Sequence, residues 1–319
     1  MTTRRMALLL LVIPTMVGAA ELKVTLLGTG RPNPDVTRFG PATLVEAGPE
    51  RLLFDAGRGA SQRLWQLKLP LGQVSAVFFT HLHSDHTVGF PDLWLTGWLP
   101  APFGGRVTPV QVWGPVGTSE MMAGLRRAYD WDIRVRREHQ SLPDSGVAIV
   151  ANDVADEGVV LERNGVKVTA FRVDHGPMLR PAFGYRVDHG GRSVVISGDT
   201  RYSENLVRFA EGADVVVHEV AAARPELVAR SEVARSILAV HTSPEDAGKV
   251  FARVKPRLAV YTHLVLLTTE PSIREPPVDE LVARTRTTYP GPLVVGEDLM
   301  SVSIGERVVV RRFTPSPGR

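Results

Sequence analysis

Thr80-His81-Leu82-His83-Ser84-Asp85-His86 places three imidazoles and a carboxylate within six positions, directly after the apolar run Val74-Ser75-Ala76-Val77-Phe78-Phe79. Imidazole nitrogen and carboxylate oxygen are the donors that hold zinc and similar first-row ions at about 2.0–2.2 Å. In an extended segment alternate side chains share a face, so His81 and His83 point toward one ion. Where the chain turns into a helix, Asp85 and His86 swing toward a second position. The cluster reads as a metal site.

The same residue types recur downstream at the ends of apolar runs, where loops present functional groups. His175 follows Ala170-Phe171-Arg172-Val173, Asp199 follows Val194-Val195-Ile196-Ser197, and His263 follows Leu258-Ala259-Val260-Tyr261. Taken with the first cluster they complete two metal sites.

Strands must end at these positions, and the patterning supplies them. Leu22–Leu27 alternates like a strand and runs into Gly28-Thr29-Gly30; strands follow at Thr43–Ala47, Leu52–Phe54 and Ser75–Phe79, and a helix at Ala60–Leu67. A helix is expected over Val88–Trp98, then strand Val110–Trp113 and helix Ser119–Ala128. The middle is strand-rich: Ala148–Ala151, Val159–Glu162, Val166–Val173, Phe183–Val187 and Ser193–Ser197. Helices at Ser203–Glu211, Val228–Leu238, Pro244–Arg253 and Val278–Thr287 alternate with strands at Asp214–Val217, Leu258–Tyr261, Leu293–Val295, Met300–Ile304 and Val308–Arg311. No linker, repeat or low-complexity tract divides the chain. Two batches of strands, each with helices, predict an α/β protein with two sheets face to face and helices outside, in one domain over 21–319.

With 319 residues and 44% apolar content, the chain can bury a substantial core. Cysteine is absent, which excludes disulfides, thiolate ligands and a cysteine nucleophile. Residues 1–20 carry Arg4 and Arg5, then Ala7–Ile13, then Gly18-Ala19-Ala20, the pattern of a secretory signal peptide. The expectation is a periplasmic or secreted protein, touching a membrane only through that segment if it is uncleaved. Its removal lowers the formal charge from +3 to +1, and no nucleic-acid footprint stands out. The basic stretch Arg307–Arg312 reads as a final strand with solvated ends.

The ordered set Leu26-Leu27-Gly28-Thr29-Gly30, Phe54-Asp55-Ala56-Gly57, Thr80 to His86, Asp174-His175-Gly176, Phe183-Gly184-Tyr185-Arg186, Ser197-Gly198-Asp199-Thr200, Val217-His218-Glu219, His241-Thr242-Ser243 and Thr262-His263 resembles the metallo-β-lactamase fold, within it the ribonuclease Z and arylsulfatase branch. The resemblance implies a four-layer αββα sandwich of two mixed sheets flanked by helices. It also implies that His81, His83 and His175 bind one metal, that Asp85, His86 and His263 bind another, and that Asp199 bridges them. The expected cofactors are two Zn2+, with Mn2+ or Fe2+ as alternatives. Two divalent ions close together need a shared anion, and metal binding lowers the pKa of water to about 7. Asp55 is implied to orient ligands from behind, His241 to donate a proton to the leaving oxygen, and Glu219 to fix the tautomer of His241. Asp85, His241 and Glu219 are thus the catalytic candidates. A structural role is equally open for Glu219 and His218, and Asp55 could instead cap the helix after it. His139 and His189 match nothing and read as surface residues.

Departures from each pattern guide the choice of substrate. True β-lactamases lack the bridging carboxylate and some use a cysteine ligand; the diiron oxygen-reducing branch has Glu where this chain has His83. Ribonuclease Z carries a flexible tRNA-binding arm, whereas here only Arg186 to Gly198 joins Tyr185 to Asp199. The opening loop Gly30 to Pro41 resembles the arylsulfatases. Arg38 or Arg201 could meet a sulfate or phosphate oxygen, or serve in structural ion pairs. Trp94, one face of a helix with Trp98, could line an aromatic pocket or pack against the sheet. The expectation is an exported dinuclear hydrolase of small anionic sulfate or phosphate esters, with nucleic acid disfavoured as a partner. The alternatives are a ribonuclease Z-like endoribonuclease, a lactone or thioester hydrolase, and a catalytically silent metal-binding envelope protein. Oligomeric state is left open, a homodimer among the options.

Overall fold

The structure is a computed structural model that describes residues 22–314. The chain lays down β1 (Leu22–Gly28), β2 (Ala42–Ala47), β3 (Glu50–Phe54), β4 (Ala76–Phe78), β5 (Val110–Pro115) and β6 (Ile149–Val154). It crosses to a second sheet with β7 (Gly158–Arg163), β8 (Val166–Val173), β9 (Ala182–His189), β10 (Arg192–Ile196), β11 (Val215–Ala223), β12 (Leu258–Leu267) and β13 (Leu293–Val295), then returns with β14 (Ser301–Ile304) and β15 (Val308–Arg311). The first sheet has the order β15-β14-β1-β2-β3-β4-β5-β6 and the second β13-β12-β11-β10-β9-β8-β7. Both are mixed: β3 to β6 and β10 to β13 pair in parallel, the remainder antiparallel.

Parallel strands covered on both faces read as continuous apolar runs. β11 and β12 are buried at every position. The inner faces meet in one cluster that includes Leu26, Phe54 and Phe78 from the first sheet and Tyr185, Val217 and Val260 from the second. Phe54, Phe78 and Trp113 stack across β3, β4 and β5 at 4.9 and 5.1 Å. Tyr185 of β9 lies against this stack, and its hydroxyl donates to the Phe79 carbonyl at 2.8 Å. Each such fully buried side chain contributes about 1.5–3 kcal/mol. Outside, Leu64, Phe90, Leu93, Trp94 and Trp98 cover the first sheet, and Leu206, Phe251 and Leu281 cover the second. The result is the αββα sandwich of the metallo-β-lactamase fold.

Several elements depart from the sequence expectation. The helix expected from Val88 starts at Phe90, after a separate turn Ser84–Thr87. The break lies at Gly89, where a Cβ would sit 2.2 Å from the Gly57 carbonyl. The expected Val228–Leu238 helix is two, Pro225–Arg230 and Glu232–Leu238, because Ser231 leaves helical geometry and its hydroxyl caps Ala234 N at 3.1 Å. Helices Asp130–Gln140 and Asp144–Val147 were not expected; the former buries Ile133 alone and so lacks an apolar stripe. The signal-peptide segment lies outside the described residues.

Candidate metal centre

The site gathers at one end of both sheets. Asp55 follows β3 with φ of 57°, His81 and His83 follow β4, His175 follows β8 and Asp199 follows β10. Gly198 turns the chain toward the site at φ of 61°, and a Cβ there would meet the Phe183 carbonyl at 2.5 Å. His263 lies within β12 at φ of 42°, where the register against β11 slips between Glu219 and Val220. Such a bulge re-aims a side chain.

The structure brings all seven expected ligands together. The donor atoms of His81, His83 and His175 lie within 4.8 Å of one another, and so do those of Asp85, His86 and His263. Asp199 Oδ2 is 3.9 Å from His81 Nε2 and 3.8 Å from His175 Nε2 in one group. It is 3.4 Å from His86 Nε2 and 3.1 Å from His263 Nε2 in the other. One carboxylate oxygen thus faces nitrogens of both groups.

Second partners fix the rings. His86 Nδ1 donates to Asp55 Oδ2 at 2.8 Å and His175 Nδ1 donates to the Val240 carbonyl at 2.9 Å, leaving each Nε2 as the free donor atom. Burial pushes His81 well below its usual pKa, and His83 and His175 downward, toward the neutral form that a metal requires. Burial alone would raise Asp199, but His263 and His86 beside it hold its carboxyl well below the usual range. His86 Nε2, His263 Nε2 and Asp199 Oδ1 are buried with no hydrogen-bond partner in the protein. Unpaired buried lone pairs are costly. Two cations between the groups would satisfy these atoms, so the donor set fits a dinuclear metal centre.

Beside it, Glu219 Oε1 accepts from Thr242 N at 2.9 Å and Thr200 N at 3.3 Å, and Oε2 lies 3.3 Å from His241 Nδ1. Burial would lower the His241 pKa, but the Glu219 carboxylate raises it to about 9. His218 is directed elsewhere: its Nδ1 meets the Glu219 carbonyl at 2.6 Å and its ring packs edge-on to Phe251.

A cavity of about 620 Å³ opens over the centre, lined by His83, Asp85, His175, Asp199, His241 and His263 on one side. Arg38, Arg201 and Trp94, the residues expected to meet substrate, are absent from its wall. Trp94 is fully buried and donates to the Val147 carbonyl at 2.9 Å, a core residue like Trp98. Arg38 is spent on Thr29 Oγ1 and the Gly296 carbonyl, both at 2.7 Å, and Arg201 is paired with Asp174. His189, expected at the surface, is 8% exposed, with Nδ1 on the Gly165 carbonyl at 2.9 Å. His139 is exposed as expected. Sequence reasoning missed Arg31, which does line the cavity and pairs with Glu275 at 2.6 Å. It also missed Asp298, buried behind the opening loop. A lone Arg in a Pro-rich loop and a lone Asp near the C-terminus carried no spacing signal.

The β-lactamase superfamily domain model matches residues 50–264. A ribonuclease Z of Mycolicibacterium gilvum is 34% identical over 89% of this chain and 96% of its own length; one of Mycobacterium sp. (strain KMS) is 36% identical over 91% and 99%. Among solved structures, the metallo-β-lactamase-fold protein YhfI from Bacillus subtilis has a TM-score of 0.67 at 17% identity, covering 89% of this chain and 99% of that one. The short form of human tRNase Z has a TM-score of 0.65 at 22% identity, with the same coverage.

The relatives overturn two expectations, the hydrolase of small sulfate or phosphate esters and the exclusion of nucleic acid. Both leaned on the missing arm. In the structure β9 and β10 form a tight hairpin through Gly190 and Gly191. Yet the Mycobacterium ribonuclease Z is 99% covered by a 292-residue match, so it leaves no room for a long arm that this chain lacks. A compact hairpin therefore does not separate this chain from ribonucleases.

Proposed function

The chain belongs to the ribonuclease Z family of the β-lactamase superfamily and is a metal-dependent hydrolase of ester bonds, and on that premise we propose that it is an endoribonuclease that cleaves a phosphodiester bond in precursor tRNA. The observation that carries the reading is Asp199 Oδ2 set within 3.1–3.9 Å of nitrogens from both histidine groups. Such a seven-residue set of nitrogen and oxygen donors suits zinc, with manganese or iron as substitutes. When bound, the metal pair supplies Lewis-acid stabilisation of the phosphate and a water ionised near neutral pH.

The chain's own residues do the rest. Asp55 and the Val240 carbonyl hold His86 and His175 in one tautomer. Glu219, anchored by two backbone amides, keeps a proton on His241 Nδ1, so that Nε2 can donate its own to the departing sugar oxygen. Arg31 at the mouth of the cavity offers a guanidinium to the phosphate backbone, in exchange for Glu275.

Incubating the metal-loaded protein with a precursor tRNA should yield a single endonucleolytic cut that Asp199→Ala abolishes. Intact RNA after prolonged incubation would sink the reading. Export through residues 1–20 is a separate proposal, supported by their charge and apolar pattern. Cell fractionation tests it and tells which RNA pool the enzyme meets.

A further inference from the structure

The cavity has two unlike halves. Beside the ligands, its lining includes Leu179, Ile237, Val240, Val265 and Leu267, with Met178 exposed to solvent at 92%. Hydrolysis of a phosphodiester uses only the polar half, so an apolar wall in the same cavity needs an occupant of its own. Water against such a surface is unfavourable, and a flat ring displaces it from the whole wall at once.

The wall is tied to the chemistry by short connections. Val265 and Leu267 follow the His263 bulge on β12 and, two residues apart, share one strand face. Val240 directly precedes His241, and its carbonyl accepts from His175 Nδ1 at 2.9 Å. Ile237 lies one helical turn before Val240, on Glu232–Leu238. A group seated against Val240 lies next to His241 in the same cavity.

Resting on the ribonuclease reading above, we propose that this wall is a nucleobase subsite: it receives the base of the nucleotide that carries the leaving oxygen. None of these apolar side chains can read a base edge, so what they contribute is the same for all four bases. Stacking against an apolar surface contributes affinity without selecting sequence.

The test uses the metal-loaded full chain and precursor tRNAs in which the nucleotide donating the leaving oxygen, identified from the product termini, is replaced by each base or by an abasic ribose. Loss of the base should lower kcat/KM about tenfold, while the four bases agree within about threefold. In Ile237→Ser the penalty for the abasic ribose should shrink, a coupling that general loss of activity does not produce. If wild type cleaves abasic and base-bearing RNA equally, or strongly prefers one base, the subsite is refuted while the ribonuclease reading stands. If it cleaves no RNA, that reading fails and the subsite falls with it. Should Ile237→Ser not fold, the wild-type comparison alone decides.

Discussion

Asp55 and His86 form the tightest tie behind the metal centre: the Asp55 carboxylate accepts from His86 Nδ1 at 2.8 Å while its other oxygen accepts from Thr80 N at 2.8 Å. One side chain thereby fixes a ligand ring and the strand end that delivers His81. Asp55→Asn keeps the size and tolerates the left-handed backbone at φ of 57°. It should weaken metal binding about 10–100-fold, measured by chelator competition, with an unchanged circular dichroism spectrum. Full retention of affinity would remove Asp55 from the site.

His241 and Glu219 should act as one unit. His241→Gln should lower kcat about 10²–10⁴-fold while bound metal stays constant. Glu219→Gln should cost less, and the double variant should be no slower than His241→Gln alone. Additive losses would show that Glu219 works through something other than His241.

Asp298 holds the opening loop in place. It accepts from Thr29 N at 2.9 Å, Thr29 Oγ1 at 2.8 Å and Phe39 N at 2.8 Å, and pairs with Arg63 at 2.9 Å. Asp298→Ala leaves a half-buried guanidinium and two amides without this partner, so denaturant unfolding should show a loss of about 1–3 kcal/mol. A loss below about 1 kcal/mol would mean that the loop is held elsewhere.

Glu50 joins the sheets, from β3 to Arg163 of β7 at 2.8 Å and Asn164 at 2.7 Å. Burial alone would raise its pKa, but hydrogen bonds from Arg163, Ser75 and Asn164 lower it to about 2 from an ordinary 4.5. Because the folded value is the lower one, the ionised pair stabilises the fold fully above pH 4.5 and loses that effect as pH falls toward 2. Wild type should therefore lose on the order of 2–3 kcal/mol more than Glu50→Gln across that range. Parallel pH profiles of the two unfolding curves would contradict the assignment.

Metal removal should show in stability as well as turnover. His86 Nε2, His263 Nε2 and Asp199 Oδ1 are buried without protein partners, so chelation should lower Tm and restored metal should raise it. An unchanged Tm would argue that the centre holds its shape without ions.

Candidate ligands in a short segment or next to strong apolar runs were legible: His81 to His86, His175 and Asp199 follow runs whose strands the structure contains, while His263 lies inside β12, which continues to Leu267. The central strands were legible for the same reason, since their burial on both faces writes an unbroken apolar signature. Helix Asp130–Gln140 was not, because a solvated helix with one buried residue leaves almost no periodic trace. Charge alone does not reveal an arginine's partners: Arg38 donates to Thr29 and Gly296, Arg201 pairs with Asp174 at the surface, and Arg31 lines the cavity. The short link after Tyr185 misled because a relative named ribonuclease Z matches this chain over 99% of its own length.

What the sequence determined by itself was the chemistry: nitrogen and oxygen donors, no thiolate, and strands to carry them. Local periodicity and residue type carry that information. Tertiary structure alone decided which donors share Asp199, that a β-bulge turns His263 inward, and that apolar side chains line the same cavity as the donors. These depend on contacts between segments far apart in the chain, where spacing says nothing about which side chains meet.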